Sequence, residues 1–187
     1  MQFFADGLRK RNQPLCCNET RPSFNDTKNK NVCFMSESKI TVPDLTQRPP
    51  RSPRCRLGGY AGLPRMLDKG RAAIAGKNGE YHYDCPLDQR ILSFLGIEAE
   101  ALKKELAAGK GDGEILEWIN ANAKNKPSEW EIEQWSTYLE RRGPTSDAET
   151  LSFFADMIGK ITKTREDIRT WADVLDLDDY VSFGGKA

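Results

Sequence analysis

No apolar stretch of this 187-residue chain approaches the roughly 20 residues needed to cross a bilayer. No short apolar run follows a basic start in the manner of a secretory leader. Mean hydropathy is −0.66 and 38% of residues are hydrophobic, the polar end of globular composition, so a soluble protein with no membrane partner is expected. Net charge is missing as well. The 28 lysines and arginines meet 28 aspartates and glutamates, which argues against a uniformly basic coat for nucleic acid. There is one histidine, His82, and so one side chain whose ordinary pKa sits near neutrality. The cysteine count of five is odd, with three in the first 33 residues. Without a leader these read as thiols of a reducing cytosol, not as a disulfide framework, and the expected location is cytoplasmic.

The length accommodates one domain, or one domain plus a tail. Residues 1–34 are rich in Asn, Thr, Lys and Arg, with six basic and three acidic residues and no amphipathic period. Such a segment cannot bury enough surface to fold, so a disordered tail is expected. Met35-Ser36-Glu37 has the form of an ordinary start, and an over-extended gene start is the reading adopted for residues 1–34. A transit peptide is the alternative, with Arg9, Lys10 and Arg11 following Phe3 and Phe4, but Asp6, Glu19 and the lack of an amphipathic stretch count against it.

Residues 35–59 are expected to form an extended, polyproline-like arm, carrying Pro43, Pro49, Pro50 and Pro53 with Arg48, Arg51, Arg54 and Arg56 and ending in Gly58-Gly59. Charge is segregated along the chain. From Arg48 to Arg71 there are seven basic residues against Asp68 alone, whereas residues 72–187 hold 14 basic and 22 acidic. The arm either lies across an acidic body, each exposed pair contributing under about 1 kcal/mol, or forms part of an anion site.

Beyond the arm the periods are helical, and residues 60–187 are expected to fold as a compact all-α domain of about seven short helices. Leu63, Met66, Leu67, Gly70 and Ile74 share one face of a helix over 63–75. Gly76 to Gly79 stops it, and Tyr81 to Asp84 follow as a short extended piece. Cys85-Pro86-Leu87 opens the next helix, which buries Leu87, Ile91, Leu92 and Leu95 and ends at Gly96. Helices over 98–108 and 112–123 come next, with Asp112 as candidate N-cap and Ile115, Leu116 and Ile119 inward. Three further starts carry the S/T-x-x-E/D signature: Ser128 with Glu131, Ser146 with Glu149, and Thr164 with Asp167. The helices they open bury Ile132, Trp135 and Leu139; Leu151, Phe154, Ala155 and Ile158; and Ile168, Trp171 and Leu175. No stretch alternates for long enough to predict a strand.

Chemistry-bearing residues are few. His82 and Cys85 form His-x-x-Cys, with Asp84 and Asp88 close by, but a zinc site needs three or four ligands and only Cys55 could add a thiolate from the folded part, so no metal is expected. Cys85 lies just before a helix N-terminus, where the dipole favours a thiolate. A Cys–His nucleophile pair and a plain core-filling thiol are both open readings. The Gly109, Gly111 and Gly113 pattern follows a helix and is a turn. No phosphate-binding loop is present, and Asp176-x-Asp178-Asp179 lacks the Gly and Glu of a calcium loop, so no cofactor is expected.

On the first helix, the side away from Leu63 carries Arg65, Asp68, Lys69, Ala72 and Gly76. Arg65, Asp68 and Arg71 can form a surface ion ladder, or the small residues can admit a ligand beside the charges. With the turn at 76–79 folding Tyr81 back, Arg54, Arg65, Lys69 and His82 are expected to converge on one concave, electropositive site lined by Tyr81. The candidate ligand-binding set is Arg54, Arg65, Asp68, Lys69, Arg71, Tyr81, His82, Cys85 and Asp88.

Arg51-Ser-Pro-Arg54 with Leu57-Gly-Gly-Tyr60, then Leu63-Pro-Arg-Met-Leu-Asp-Lys69, and Gly79-Glu-Tyr-His-Tyr-Asp-Cys-Pro-Leu-Asp88 together resemble the bacterial domain-of-unknown-function family 5069. The similarity covers Val42 to the C-terminus. It implies a small stand-alone bacterial domain and agrees with a start at Met35; it carries no mechanism. Two functional classes therefore remain. One is a non-catalytic interaction module whose arm and first helix receive an anionic partner, either an acidic protein segment or a phosphorylated small molecule. The other is a small enzyme or ligand-binding protein with its pocket between the first helix and the Tyr81 to Asp88 segment. With a net-negative body, nucleic acid ranks third as a partner.

Overall fold

In the computed structural model residues 41–144 and 147–187 are described. The disordered tail expected over 1–34, the first residues of the arm and the candidate cap Ser146 all lie outside them. Among the described residues there are seven helices, α1 (Leu63–Ile74), α2 (Pro86–Leu95), α3 (Ala99–Ala107), α4 (Asp112–Asn122), α5 (Glu129–Arg141), α6 (Ala148–Ile161) and α7 (Trp171–Ser182), and one small hairpin, β1 (Arg56–Leu57) and β2 (Tyr60–Ala61). This is the mostly helical, compact domain that the periodicity predicts. No helix among the described residues is long and apolar enough to cross a membrane.

α1 runs through the middle of the fold. Gly62 caps it at φ 76°, a left-handed value that glycine adopts without strain, and Pro64 occupies the first turn, where a missing N–H costs nothing. Every residue from Leu63 to Ala72 is buried, because α2, α3 and the hairpin all pack against this one helix. Leu63, Met66 and Leu67 are fully enclosed and join Ile91, Leu92, Leu95, Leu102, Ile115 and Ile119 in the main core. At Gly70 a Cβ would stand 2.5 Å from Leu106 Cδ1 and 3.2 Å from the Tyr83 ring. The missing side chain is what lets α3 and Tyr83 close over α1. Ile74, placed on the inward face by its spacing, is instead 42% exposed, since the helix emerges from the core in its last turn.

The hairpin is a departure from the expected extended arm. Gly58 and Gly59 both have positive φ (58° and 86°), the requirement of a two-residue turn that matches strand twist, and Arg56 pairs with Ala61 and Leu57 with Tyr60. Ser136 of α5 pins it, accepting from the Ala61 amide at 3.0 Å and donating to the Gly59 carbonyl at 2.8 Å.

The later helices differ from expectation at their starts. Asp112 is not the cap of α4: Gly111 holds that position, and the carboxylate turns away to two arginines. α5 has the Ser128–Glu131 capping box that the sequence marks. α6 is capped by Asp147, which accepts from the Thr150 amide at 2.7 Å. α7 starts at Trp171, six residues after the expected start, because Thr170 and Asp173 form the capping box while Asp167 pairs with Arg165. Its buried residues are Ala172, Val174, Leu177 and Asp179. In α6 only Phe154 is buried, edge-on to Trp171 with ring centroids 5.0 Å apart; Leu151 and Ala155, expected inside, are exposed, because α7 is the neighbour against which α6 mainly packs.

Candidate functional site

Four charged side chains of α1 are buried, and none pairs with another, so the surface ladder does not form. Each reaches a different segment. The Arg65 guanidinium, 4% exposed, makes a forked contact with Asp179 of α7 at 2.6 and 3.2 Å. Asp68 accepts from the Arg51 backbone and guanidinium at 2.8–3.0 Å. Lys69, also 4% exposed, meets Asp88 at 2.8 Å. Arg71 binds Asp112 at 2.6 Å and the Lys110 carbonyl at 3.0 Å. A buried charge without a partner is costly, which accounts for the matching of every one.

Three of the arm's four arginines are matched too, while Arg48 is exposed and makes no ion pair among the described residues. Arg51 bridges Asp68 and Asp112, Arg54 joins Asp173 and Asp176, and Arg56 joins Glu133 and Glu140. The arm therefore lies across acids of the body, the first of its two readings. Arg54 is held at the start of α7, away from Arg65 and Lys69, and does not join them; Asp68 and Arg71 face the Arg51–Asp112 side.

Arg65, Lys69, Tyr81, His82 and Cys85 do come together, on the wall of one cavity of about 580 Å³. It is bounded by α1, the Tyr81 to Cys85 segment and α7. Leu45, Leu87, Leu175 and Phe183 supply an apolar side, and Glu80 and Asp178 stand at the wall as well. The surface is not the electropositive one expected, since Arg65 and Lys69 are neutralised by Asp179 and Asp88. Asp88 lies behind Lys69, 1% exposed, and contributes through it. His82 is exposed and makes no hydrogen bond among the described residues.

The local chain fixes this wall. Asp84 has φ 66°, a left-handed value that Asp tolerates better than most residues, and its amide donates to Asp88 at 3.0 Å. This bend sets Cys85 at the N-cap of α2 with its sulfur 3.1 Å from the Lys69 ammonium. The Tyr81 hydroxyl donates to Asp179 at 2.7 Å; burial and that carboxylate raise its pKa, so it stays a donor. Burial also raises the carboxyls of Asp88 and Asp178, in Asp88 against the pull of Lys69 and the Asp84 and Cys85 amides, in Asp178 with the help of the neighbouring Asp179 charge.

The model of the family described as Domain of unknown function (DUF5069) matches residues 47–181. The chain belongs to the DUF5069 family. The DUF5069 match begins a few residues inside the expected Val42 and ends at 181, short of the expected C-terminus; it takes in the later part of the arm, the hairpin, α1 to α6 and nearly all of α7, so every cavity residue named above except Leu45 and Phe183 lies within it. No curated protein matches the chain. Among the described residues no group of three His, Cys, Asp or Glu side chains is placed to hold a metal ion. Sequence reasoning missed Asp179, Asp178 and Leu175 as cavity or support residues; the acidic run at 176–179 was the available signal, and it was weighed only as a calcium loop.

Asp112 gives the network a pH signature. Burial alone would raise its carboxyl, but the hydrogen bonds of Arg51 and Arg71 outweigh burial and hold it below the ordinary value of 3.8. Its stabilisation is complete above that value and is lost as pH falls through the lower, folded one. Asp88, raised, acts in the opposite sense and gains stability on acidification. In urea titrations between pH 5 and pH 3, wild type should lose more stability than Asp112→Asn; equal losses would show that the two arginines do not hold this carboxylate ionised.

Proposed function

We propose that the protein binds a small organic molecule in the cavity between α1, the Tyr81 to Cys85 segment and α7. The observation that carries this reading is the convergence of several polar side chains on one cavity that is also lined by apolar ones. Arg65, Lys69, Tyr81, His82 and Cys85 share one concavity that Leu45, Leu87, Leu175 and Phe183 also line. Arg65 and Lys69, like Arg51, Arg54 and Arg56 of the arm, are already paired with acids, so the cavity offers hydrogen bonds and apolar surface, not net positive charge. Cavities of this size, mostly apolar with a few convergent polar groups, are the usual form of a small-molecule site. The ligand that fits has a compact apolar body and a hydrogen-bonding end. Binding to the native state alone raises stability by mass action, about 2.7 kcal/mol at a hundredfold excess over Kd.

A library of small amides, amines and carboxylates bearing an aliphatic or aromatic group tests the reading by heteronuclear NMR. Hits should shift the amides of Tyr81, His82, Cys85 and Leu175 and lose affinity in Leu175→Trp, which fills the apolar side. Hits scattered over the surface, or unaffected by Leu175→Trp, would rule the cavity out. The interaction-module reading is favoured only if an acidic peptide shifts the arm residues Arg51, Arg54 and Arg56 instead.

A further inference from the structure

We infer that Cys85 is a nucleophilic thiol, and that the cavity is a site of covalent capture for α,β-unsaturated carbonyl compounds carrying a small apolar chain. A thiol serving as core filler sits among apolar neighbours, but the polar atom bonded to this sulfur is the ammonium nitrogen of Lys69, 3.1 Å away. That ammonium is itself locked. It is 4% exposed, anchored to a carboxylate that is 1% exposed, and Asp88 is held in turn by the Asp84 amide, so the cation cannot swing away when charge develops on sulfur. Cys85 is also the N-cap residue of α2, at the positive end of the helix dipole. A cation and a helix N-terminus are the surroundings in which cysteines become reactive. Cys85 is half-buried and lines the cavity, so a reagent can reach it.

The class of electrophile follows from the apolar residues that line the same cavity. Peroxide or another small polar oxidant gains nothing from Leu87, Leu175 and Phe183, whereas an organic acceptor with a short alkyl chain buries it there. In the reaction a sulfur lone pair forms the S–C bond to the β-carbon, and the C=C π pair moves toward the carbonyl oxygen. The α-carbon then takes a proton from solvent, to which the thiol has given its own. The net change is addition of S–H across C=C, with nothing oxidised or reduced. Lys69, its ammonium 3.1 Å from the sulfur, faces the charge that shifts during attack and is a positioning residue.

The nucleophilicity stands on the Lys69 contact; only the preference for an apolar chain rests on the cavity reading above. Acrylamide and N-hexylacrylamide, which share one reacting group and differ in the chain, separate the two. Adducts on Cys85 of the full chain are followed by peptide mass spectrometry against a free peptide spanning 81–89. Acrylamide should label the folded protein roughly tenfold faster than the peptide, and N-hexylacrylamide faster still. Lys69→Met/Asp88→Asn removes both charges together, so that neither is left buried alone, and should bring the acrylamide rate to the peptide's or below. Folded wild-type Cys85 reacting no faster than the peptide overturns the inference, whatever the variant does. Acceleration of acrylamide with no further gain for the hexyl compound leaves the nucleophile standing and removes the apolar ligand, and with it the cavity reading.

Discussion

Arg65→Met is expected to cost about 3–5 kcal/mol, the range for removing one partner of a buried ion pair. The guanidinium is enclosed, and its loss leaves the Asp179 carboxylate buried among groups that cannot replace its two hydrogen bonds; the Tyr81 hydroxyl remains as a single donor. For a domain whose total stability is about 5–15 kcal/mol, that is a large share. Arg65→Met/Asp179→Leu, which removes both charges, should recover much of the loss, since the desolvation cost of the pair disappears with it. Urea unfolding measures both. A single-variant loss below about 1 kcal/mol would show that Asp179 finds solvent or another cation when Arg65 is gone.

Leu67→Ala should cost about 2–5 kcal/mol by leaving a void in the middle of the core. Leu67 has no exposed surface and lies on the one helix that α2, α3 and the hairpin all touch, so no single neighbour can move in to fill the space without leaving another contact. A loss under about 0.5 kcal/mol would mean that the core collapses around the deletion, and would place α1 at an edge of the packing instead of its centre.

The helical class and most helix boundaries were legible because they depend on neighbours within a few residues. Leu63, Met66 and Leu67 recur at the helical period, Pro64 and Pro86 mark first turns, Gly96 ends α2 in a left-handed conformation, and Ser128 with Glu131 closes a capping box. The misplaced start of α7 shows the limit of such signals. Thr164 with Asp167 and Thr170 with Asp173 carry the same signature; in the structure Asp167 turns to Arg165, while Asp173 closes the box with Thr170 and is also held by Arg54, a residue far away in sequence. The charged face of α1 was misread for the same reason. Arg65, Asp68, Lys69 and Arg71 resemble a solvated stripe until Asp179, Arg51, Asp88 and Asp112 arrive from other segments. Of the candidate site, Arg65, Lys69, Tyr81, His82 and Cys85 share a wall because the turn at 76–79 is local; Arg54 does not, because Asp173 and Asp176 hold its guanidinium at the start of α7.

The reach of α1's charges has a consequence for synthesis on the ribosome. Asp88 and Asp112 emerge soon after Lys69 and Arg71, so the pairs that tie α1 to α2 and α4 can form on the nascent chain. Arg65 must wait 114 residues for its carboxylate, and Arg54 still longer for Asp173 and Asp176. Until α7 clears the exit tunnel, Arg65 has no counter-ion and the cavity lacks its Leu175 and Asp178 wall. A stalled chain ending before Trp171 would therefore carry a formed core but an open, charged flank, and arrival of α7 is the step that seals it.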